Sequence, residues 1–405
     1  MLDKNIIFIT NLHLWSLDKG KGGKAFFYTV QGYIRTGWKI WMVSTGGGIP
    51  DDIIEKLILK EEEFPILTRL HNSRFRLVSI LGRFLKMNRQ NNFYRCTANQ
   101  IIKENPDKKF IIYGYEVEGV SAASSIANRH SFPLVTRFQG TVIANMENSF
   151  LNRLKKAPHF SALSTKANLV IMTNDGTKGY EVLKRLKNKS NRINFWRNGV
   201  DQVDKEALFN RDSIRKGLGV EGEIVFITVS RLIGWKRVNL AIEAFAEVFA
   251  GNAKTRLIVV GDGPEKRDLE NLAEKLKIDE RVIFTGAIAQ SDVTSYLIAS
   301  DIFLSLYDLS NLGNPIMEAM RVEKPIITID VGDTRELIVD GENGVLIPSD
   351  ELLRIPEMMN TLIMDCEYAK KLALGARKTA DKEFWSWQQR IDAEVKEVSQ
   401  LLELC

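Results

Sequence analysis

Two short segments hold side chains whose type and spacing suit work on a phosphorylated ligand. Val229-Ser-Arg-Leu-Ile-Gly-Trp-Lys-Arg-Val238 follows an apolar run and sets Arg231 and Lys236 five residues apart across a glycine-containing turn. Two such cations can converge on one anion, and guanidinium and ammonium groups stabilise the oxygens of a leaving diphosphate as charge develops on them. The second segment, Asp308-Leu-Ser-Asn-Leu-Gly-Asn-Pro-Ile-Met-Glu-Ala-Met320, reads as a loop entering a helix. Asn314 suits the N-cap, Pro315 the first helical position, and Gly313 lets backbone approach a ligand closely. The helix start offers free N–H groups and a positive dipole end to a diphosphate. Glu318, one turn in, points a carboxylate at the same mouth, where it can accept two hydrogen bonds from a ribose diol. Each segment also has a plain alternative: a solvated basic loop, and an ordinary connection with a surface glutamate.

Both segments follow apolar runs, and such runs recur along the chain. They are Ile6–Thr10, Lys39–Ser44, Phe110–Gly114, Leu134–Arg137 and Leu169–Thr173, then Ile224–Val229, Arg256–Val260, Val282–Thr285, Ile302–Leu306, Pro325–Ile329 and Gly344–Ile347. Continuous rather than alternating apolar strands indicate parallel sheets covered on both faces, and strand-then-helix repetition indicates doubly wound α/β architecture. The pattern restarts after Asn198-Gly-Val-Asp201 and the polar segment to Gly222, which predicts a hinge at 198–222. Ligands of open α/β sheets bind beyond the carboxyl ends of the strands, so the loops there are expected to carry the chemistry.

A chain of 405 residues favours two domains. No apolar run approaches the roughly 18 to 20 residues that span a bilayer, and MLDKNIIFIT reads as a first strand rather than a signal peptide. The scattered Cys96, Cys366 and Cys405 suit a reducing cytoplasm, and four histidines without i, i+4 pairing argue against a histidine metal site. Residues 1–200 hold 31 Lys+Arg against 15 Asp+Glu, whereas the remainder holds 25 against 36. That asymmetry suggests a first half facing something anionic, or two halves that complement each other. Gly20-x-Gly22-x-x-Ala25 formally fits a dinucleotide motif, but it begins well past the strand end and no acid closes the following strand.

Six motifs then fall in one order: Ser-Arg-Leu with Lys236, Val260-Gly-Asp-Gly-Pro264, Phe284-Thr-Gly286, Pro315 with Glu318-Ala-Met, Lys324-Pro-Ile-Ile, and Leu337-Ile-Val-Asp-Gly-Glu-Asn-Gly344. Together they resemble the donor domain of the retaining, family-4-type (group 1) glycosyltransferases of GT-B fold, strongly over 222–350. The resemblance is weaker but colinear through Gly22-Gly23, Gln139-Gly-Thr141 and Asn198-Gly-Val-Asp201. It implies two facing Rossmann-like domains: an acceptor-side domain over 1–200, a nucleotide-sugar donor domain over 201–380, and a C-terminal helix over 381–405 crossing back to the first. It also implies transfer of a sugar from a nucleotide diphosphate sugar to a hydroxyl of a glycan or lipid-linked acceptor, with retention, in bacterial surface polysaccharide synthesis. The positions matching Arg231 and Lys236 would hold the diphosphate, and that matching Glu318 the ribose. Gly22 and Gly23 would close on the phosphate side, Gly261 would belong to the donor site, Ala287 and Ile288 would lie against the base, and Asn311, Leu312, Gly313 and Asn314 against phosphate and sugar. Tyr115, Glu116, Gln139, Gly140 and Thr141 would shape the acceptor side. The family implies no cofactor and no metal, and no Asp-x-Asp element is present.

The chain departs from the family at two points. Seven residues before Glu318, where a glutamate usually contacts the hexose, stands Ser310, with Asp308 nearby as a substitute carboxylate. Gln139 stands where a histidine is frequent and keeps hydrogen-bonding capacity without titrating. The shorter Ser310 predicts a roomier, less acidic pocket suited to a donor sugar that is bulky, acidic or lacks the hydroxyl the glutamate usually holds. These departures keep open a non-catalytic sugar-nucleotide-binding homologue and, less in keeping with the residues, a nucleotide-sugar epimerase. The stretch Arg69–Arg89 carries six cations and no acid, with Leu77, Ile80, Leu81, Phe84 and Leu85 at helical spacing. Such a helix either lies on an anionic bilayer or packs its stripe on the sheet. The expected setting is therefore the cytoplasm, with peripheral contact at the inner membrane face as one of two readings, and no nucleic-acid partner. Trp385 and Trp387 are expected to be packing anchors.

Overall fold

The apolar runs become the strands of two separate parallel sheets in the computed structural model, which describes residues 4–18, 23–48, 50, 57–73, 75–147, 149–203 and 210–404. The first sheet holds β1 (Asn5–His13), β2 (Lys39–Gly46), β3 (Ile58–Glu61), β4 (Ile111–Tyr115), β5 (Leu134–Phe138), β6 (Leu169–Thr173) and β7 (Arg192–Trp196), in the order β3-β2-β1-β4-β5-β6-β7. The second holds β8 (Ile224–Val229), β9 (Thr255–Val260), β10 (Val282–Gly286), β11 (Ile302–Ser305), β12 (Ile326–Asp330) and β13 (Val345–Pro348), in the order β10-β9-β8-β11-β12-β13. Each order reverses once, between β1 and β4 and between β8 and β11. These reversals are the switch points at which doubly wound sheets open a crevice.

The first unit's helices are α1 (Lys24–Arg35), α2 (Pro65–His71), α3 (Arg76–Glu104), α4 (Glu116–His130), α5 (Phe150–Lys155), α6 (Ala157–Ser164) and α7 (Gly179–Arg185). The second unit's are α8 (Arg211–Gly217), α9 (Val238–Gly251), α10 (Lys266–Lys275), α11 (Gln290–Ala299), α12 (Asn314–Arg321), α13 (Ile355–Met364) and α14 (Cys366–Glu383). The last helix, α15 (Trp387–Gln400), belongs to the first unit, which comprises residues 1–174, 178–197 and 387–405. The second unit comprises 198–386 together with the short piece Asp175–Thr177. Within the segment read as a hinge, 204–209 lie outside the described residues, and 210–222 pack in this unit: the buried Arg215 donates to the carbonyls of Ala299 (2.7 Å) and Val220 (3.2 Å) and to Asp301 (3.2 Å).

The charged centre of the first unit explains how α15 is held. Arg137 on β5 and Arg390 and Glu394 on α15 are all fully buried. Glu394 accepts from Arg137 (2.5 Å), from Arg390 (3.1 Å) and from the hydroxyl of Tyr113 (2.7 Å). Arg137 also donates to Thr29 on α1 (2.6 Å), and Arg390 lies over the Trp196 ring. Burial alone would raise the Glu394 carboxyl, yet Arg137 and Arg390 hold it below the usual range. Trp387 is buried and stacks on Tyr28 at 4.8 Å. Trp385, expected as a second anchor, has an exposed ring and acts instead through its carbonyl, which accepts from the Val200 amide (2.9 Å).

Candidate functional site

The loop after β8 and the start of α12 meet at the switch point of the second sheet, because β8 and β11 are adjacent strands. Arg231 is exposed in that loop. The Lys236 ammonium lies 4.0 Å from the Trp235 ring centre and 3.7 Å from that of Tyr307, the residue two past β11. Burial lowers the Lys236 pKa to about 8, while Asp175 works the other way. Two links tie the loops together: the Asp308 amide donates to the Trp235 carbonyl (2.9 Å), and Arg237 pairs with Asp308 (3.1 Å). Asp308 therefore spends its carboxylate on Arg237.

The glycines after β9 make this loop possible. At Gly261, with φ of +134°, a Cβ would collide with the Ser230 carbonyl, and at Gly263 with that of Leu232. The same contacts carry ladder-like bonds from the Ser230 amide to Val260 (3.0 Å) and from Leu232 to Asp262 (2.9 Å). Gly261 thus supports the cationic loop by backbone packing.

At the start of α12 the helix begins one residue earlier than the sequence suggests. Gly313 is the N-cap, Asn314 is the first helical residue and Pro315 the second. Asn314 accepts from Asn198 (3.1 Å) instead of capping. Asn311 is fully buried; its side chain accepts from Ser305 (2.8 Å) and the Tyr307 amide (3.1 Å) and donates to the Ile329 carbonyl (3.0 Å). That clip fixes the path of the loop into the helix. Leu312 and Glu318 are buried, Ala287 is exposed and Ile288 half-buried just past β10.

Ser310 is buried, and its hydroxyl is engaged on both sides. It donates to the Asp175 carbonyl and accepts from the Leu312 amide (3.2 Å). Gly176, at φ of +79°, sits so close that a Cβ there would meet Ser310 Oγ and the Leu312 side chain. Its carbonyl accepts from the Asp333 amide (3.1 Å). The room expected beside Ser310 is therefore filled by Asp175–Thr177, and the small side chain is what admits that segment. With it comes a carboxylate that sequence reading missed: Asp175 is half-buried, accepts from the Thr177 amide (3.1 Å) and hydroxyl (2.6 Å), and is raised to about 6, chiefly by loss of solvation. Its one sequence signal is Asn-Asp-Gly directly after β6, a turn signature.

The loops after β4 and β5 gather the other expected residues within the first unit. Tyr115 is buried, and Glu116 opens α4 at a positive φ of 62°. The Glu116 carboxylate accepts from the Gln139 amide (2.8 Å). In the orientation that satisfies its neighbours, the Gln139 side-chain oxygen accepts from the Tyr115 hydroxyl (2.8 Å) and from Arg137 (3.3 Å). Gly140 takes a φ of +123°, and Thr141 accepts from the Ile143 amide (3.3 Å). Gly23 is the N-cap of α1, and Gly22 lies outside the described residues. Among the described residues no group of three or more His, Cys, Asp or Glu could hold a metal ion.

Two Rossmann-like units, the second with a cationic loop and a helix start at its switch point, define the chain as a GT-B protein. Residues 210–379 match the family model for glycosyl transferases group 1, so the chain resembles that family through its second unit. N-acetyl-alpha-D-glucosaminyl L-malate synthase of Bacillus anthracis is 30% identical over 187 residues, 45% of this chain and 48% of that protein. Alpha-monoglucosyldiacylglycerol synthase of Acholeplasma laidlawii is 26% identical over 257 residues, 59% of this chain and 60% of that protein. The chain spans about half the length of the curated relatives it matches. Among solved structures, Anabaena HepE in complex with UDP matches with a TM-score of 0.72 at 19% identity, over 98% of this chain and 99% of that one. Sucrose-phosphate synthase of Thermosynechococcus elongatus matches with a TM-score of 0.76 at 16% identity, over 99% and 100%.

Proposed function

We propose that the protein is a retaining glycosyltransferase that moves a sugar from a nucleotide diphosphate sugar to a hydroxyl of a glycan or lipid-linked acceptor. The observation that carries this reading is Lys236, an ammonium partly withdrawn from water between two aromatic rings, five residues after the exposed Arg231. A cation in that setting is poorly solvated and gains strongly from a dianionic diphosphate. The α12 start adds backbone N–H donors, Glu318 would hold the ribose, and Ala287 and Ile288 would flank the base. The UDP complex of HepE supports a uridine nucleotide as the first donor to test.

The apolar side chains Phe84, Leu85, Phe150, Leu151 and Leu154 are exposed on α3 and α5, with Phe150 78% and Leu154 68% accessible. The stripe is thus not packed on the sheet at its described positions, which supports peripheral contact with an anionic membrane as the setting. The side chains of Leu77 and Ile80 lie outside the described residues. No helix among the described residues is long and apolar enough to cross a membrane.

The test is a panel of labelled nucleotide sugars with wild-type and Arg231→Ala protein. Losing one contact to the leaving diphosphate is expected to cut turnover about 10²- to 10³-fold, with little change in thermal stability, and chelators are expected to leave the rate unchanged. Near-normal turnover of Arg231→Ala would sink the assignment. Interconversion of the sugar without transfer would make the protein an epimerase, and nucleotide binding without turnover a non-catalytic homologue.

A further inference from the structure

The first sheet has its own switch point, and a cavity of about 320 Å³ opens there, lined by Asn11 near the end of β1 and Glu118 in the first turn of α4. Its other walls are strongly basic. Arg83 and Lys86 come from α3, Lys155 and Lys156 from the α5–α6 junction, and the imidazoles of His71 and His159 complete it. Glu118 is the one carboxylate among the described lining residues. Both histidines show the resulting field: burial first, then Arg83 with Lys86 or Lys156, hold them below the ordinary imidazole range. Four cations and two imidazoles around one carboxylate leave a site short of negative charge, and the crevice at a switch point is where an α/β sheet takes its ligand.

What surrounds the cavity narrows the ligand further. Arg83 and Lys86 bracket the exposed Phe84 and Leu85, and Lys155 directly follows the exposed Leu154. A small soluble anion has no use for exposed apolar side chains on the same helices that supply the cavity's cations. We propose that this cavity seats the phosphoryl group of an amphiphilic acceptor, a lipid phosphate or diphosphate whose hydrocarbon lies on the neighbouring exposed side chains. The inference rests on the glycosyltransferase reading and names the acceptor's chemistry.

The experiment uses the full chain and two kinds of vesicle matched in surface charge, phosphatidylcholine carrying phosphatidic acid or phosphatidylcholine carrying fatty acid, with UDP binding measured separately by calorimetry. Wild type is expected to prefer the phosphatidic acid vesicles by tenfold or more, since a charge-assisted hydrogen bond to a phosphoryl group adds to the matched surface attraction and is worth about tenfold or more. Arg83→Gln/Lys86→Gln and Lys155→Gln/Lys156→Gln are each expected to erase the preference while UDP binding is kept. Equal binding to both vesicles would overturn the proposal, because surface charge alone would then explain it. Binding of inorganic pyrophosphate at saturating UDP, without vesicle preference, would reassign the cavity to a soluble phosphate and also overturn it. Loss of UDP binding in wild type would instead count against the glycosyltransferase reading.

Discussion

Lys236 and Asp175 are two residues of the second unit whose chemistry the fold alters. A lysine lowered to about 8 loses its charge within an accessible range, and Asp175, by acting against burial, keeps it charged longer. If Lys236 grips the diphosphate, UDP affinity is expected to fall as pH rises through about 8, since the nucleotide phosphate is already ionised well below that pH. Asp175→Asn removes the support, so the midpoint is expected to move lower. A flat affinity up to pH 9.5 by calorimetry would remove Lys236 from the diphosphate site. The stability consequence has a definite sign. A depressed lysine releases its proton earlier when folded, so its burial penalty is relieved, and stability rises, between about pH 8 and the unfolded value near 10.4. The placement of Arg231 and Lys236 together in the segment after β8 was legible because a cation pair after a strand is a local pattern. Asp175 was not, because its meaning depends on Ser310, 135 residues away, having a side chain small enough to admit Gly176.

Among the elements, α15 shows most clearly what spacing can and cannot reveal. Its two arginine partners converge on Glu394 from positions 257 and 4 residues distant, and all three side chains are fully buried. Removing one member of a buried charge cluster leaves the others unpaired, which typically costs about 3–5 kcal/mol. Glu394→Ala is therefore expected to lower the thermal midpoint sharply and to loosen α15, read as faster amide exchange in 387–400. Glu394→Gln keeps the size and part of the hydrogen bonding and is expected to lose less. A midpoint unchanged in Glu394→Ala would mean that Trp387 on Tyr28 holds the helix alone. In sequence, Arg137 closes the run Leu134–Arg137, and nothing local pairs it with a glutamate on the last helix. The central strands were readable because both faces are covered and most positions are apolar. The edge strands β3 and β7 were not: Ile58-Leu-Lys-Glu61 and Arg192-Ile-Asn-Phe-Trp196 carry polar residues that continuous apolar runs do not allow.

Across the whole molecule, charge and exposed apolar surface coincide in sequence. Residues 1–200 carry 31 Lys+Arg against 15 Asp+Glu, and the exposed phenylalanines and leucines of α3 and α5 sit beside Arg83, Lys86, Arg153 and Lys155 in the same stretch. Surface attraction and apolar insertion act on different observables, so they can be separated. Attraction between basic side chains and an anionic leaflet decays over a Debye length of about 8 to 10 Å at physiological salt. Binding to anionic vesicles is therefore expected to weaken as salt rises, whereas the part due to inserted side chains is expected to persist. Phe84→Ser/Leu85→Ser and Leu151→Ser/Leu154→Ser replace exposed residues, so the thermal midpoint is expected to stay within a degree or two of wild type. Each pair gives up roughly 1 to 3 kcal/mol of apolar transfer if its side chains enter the acyl boundary, so release from vesicles in a flow assay is expected to quicken by about tenfold. Salt-insensitive binding that survives both pairs would detach the basic first half from the membrane, and the apolar face of α3 and α5 would then need a protein partner to cover it.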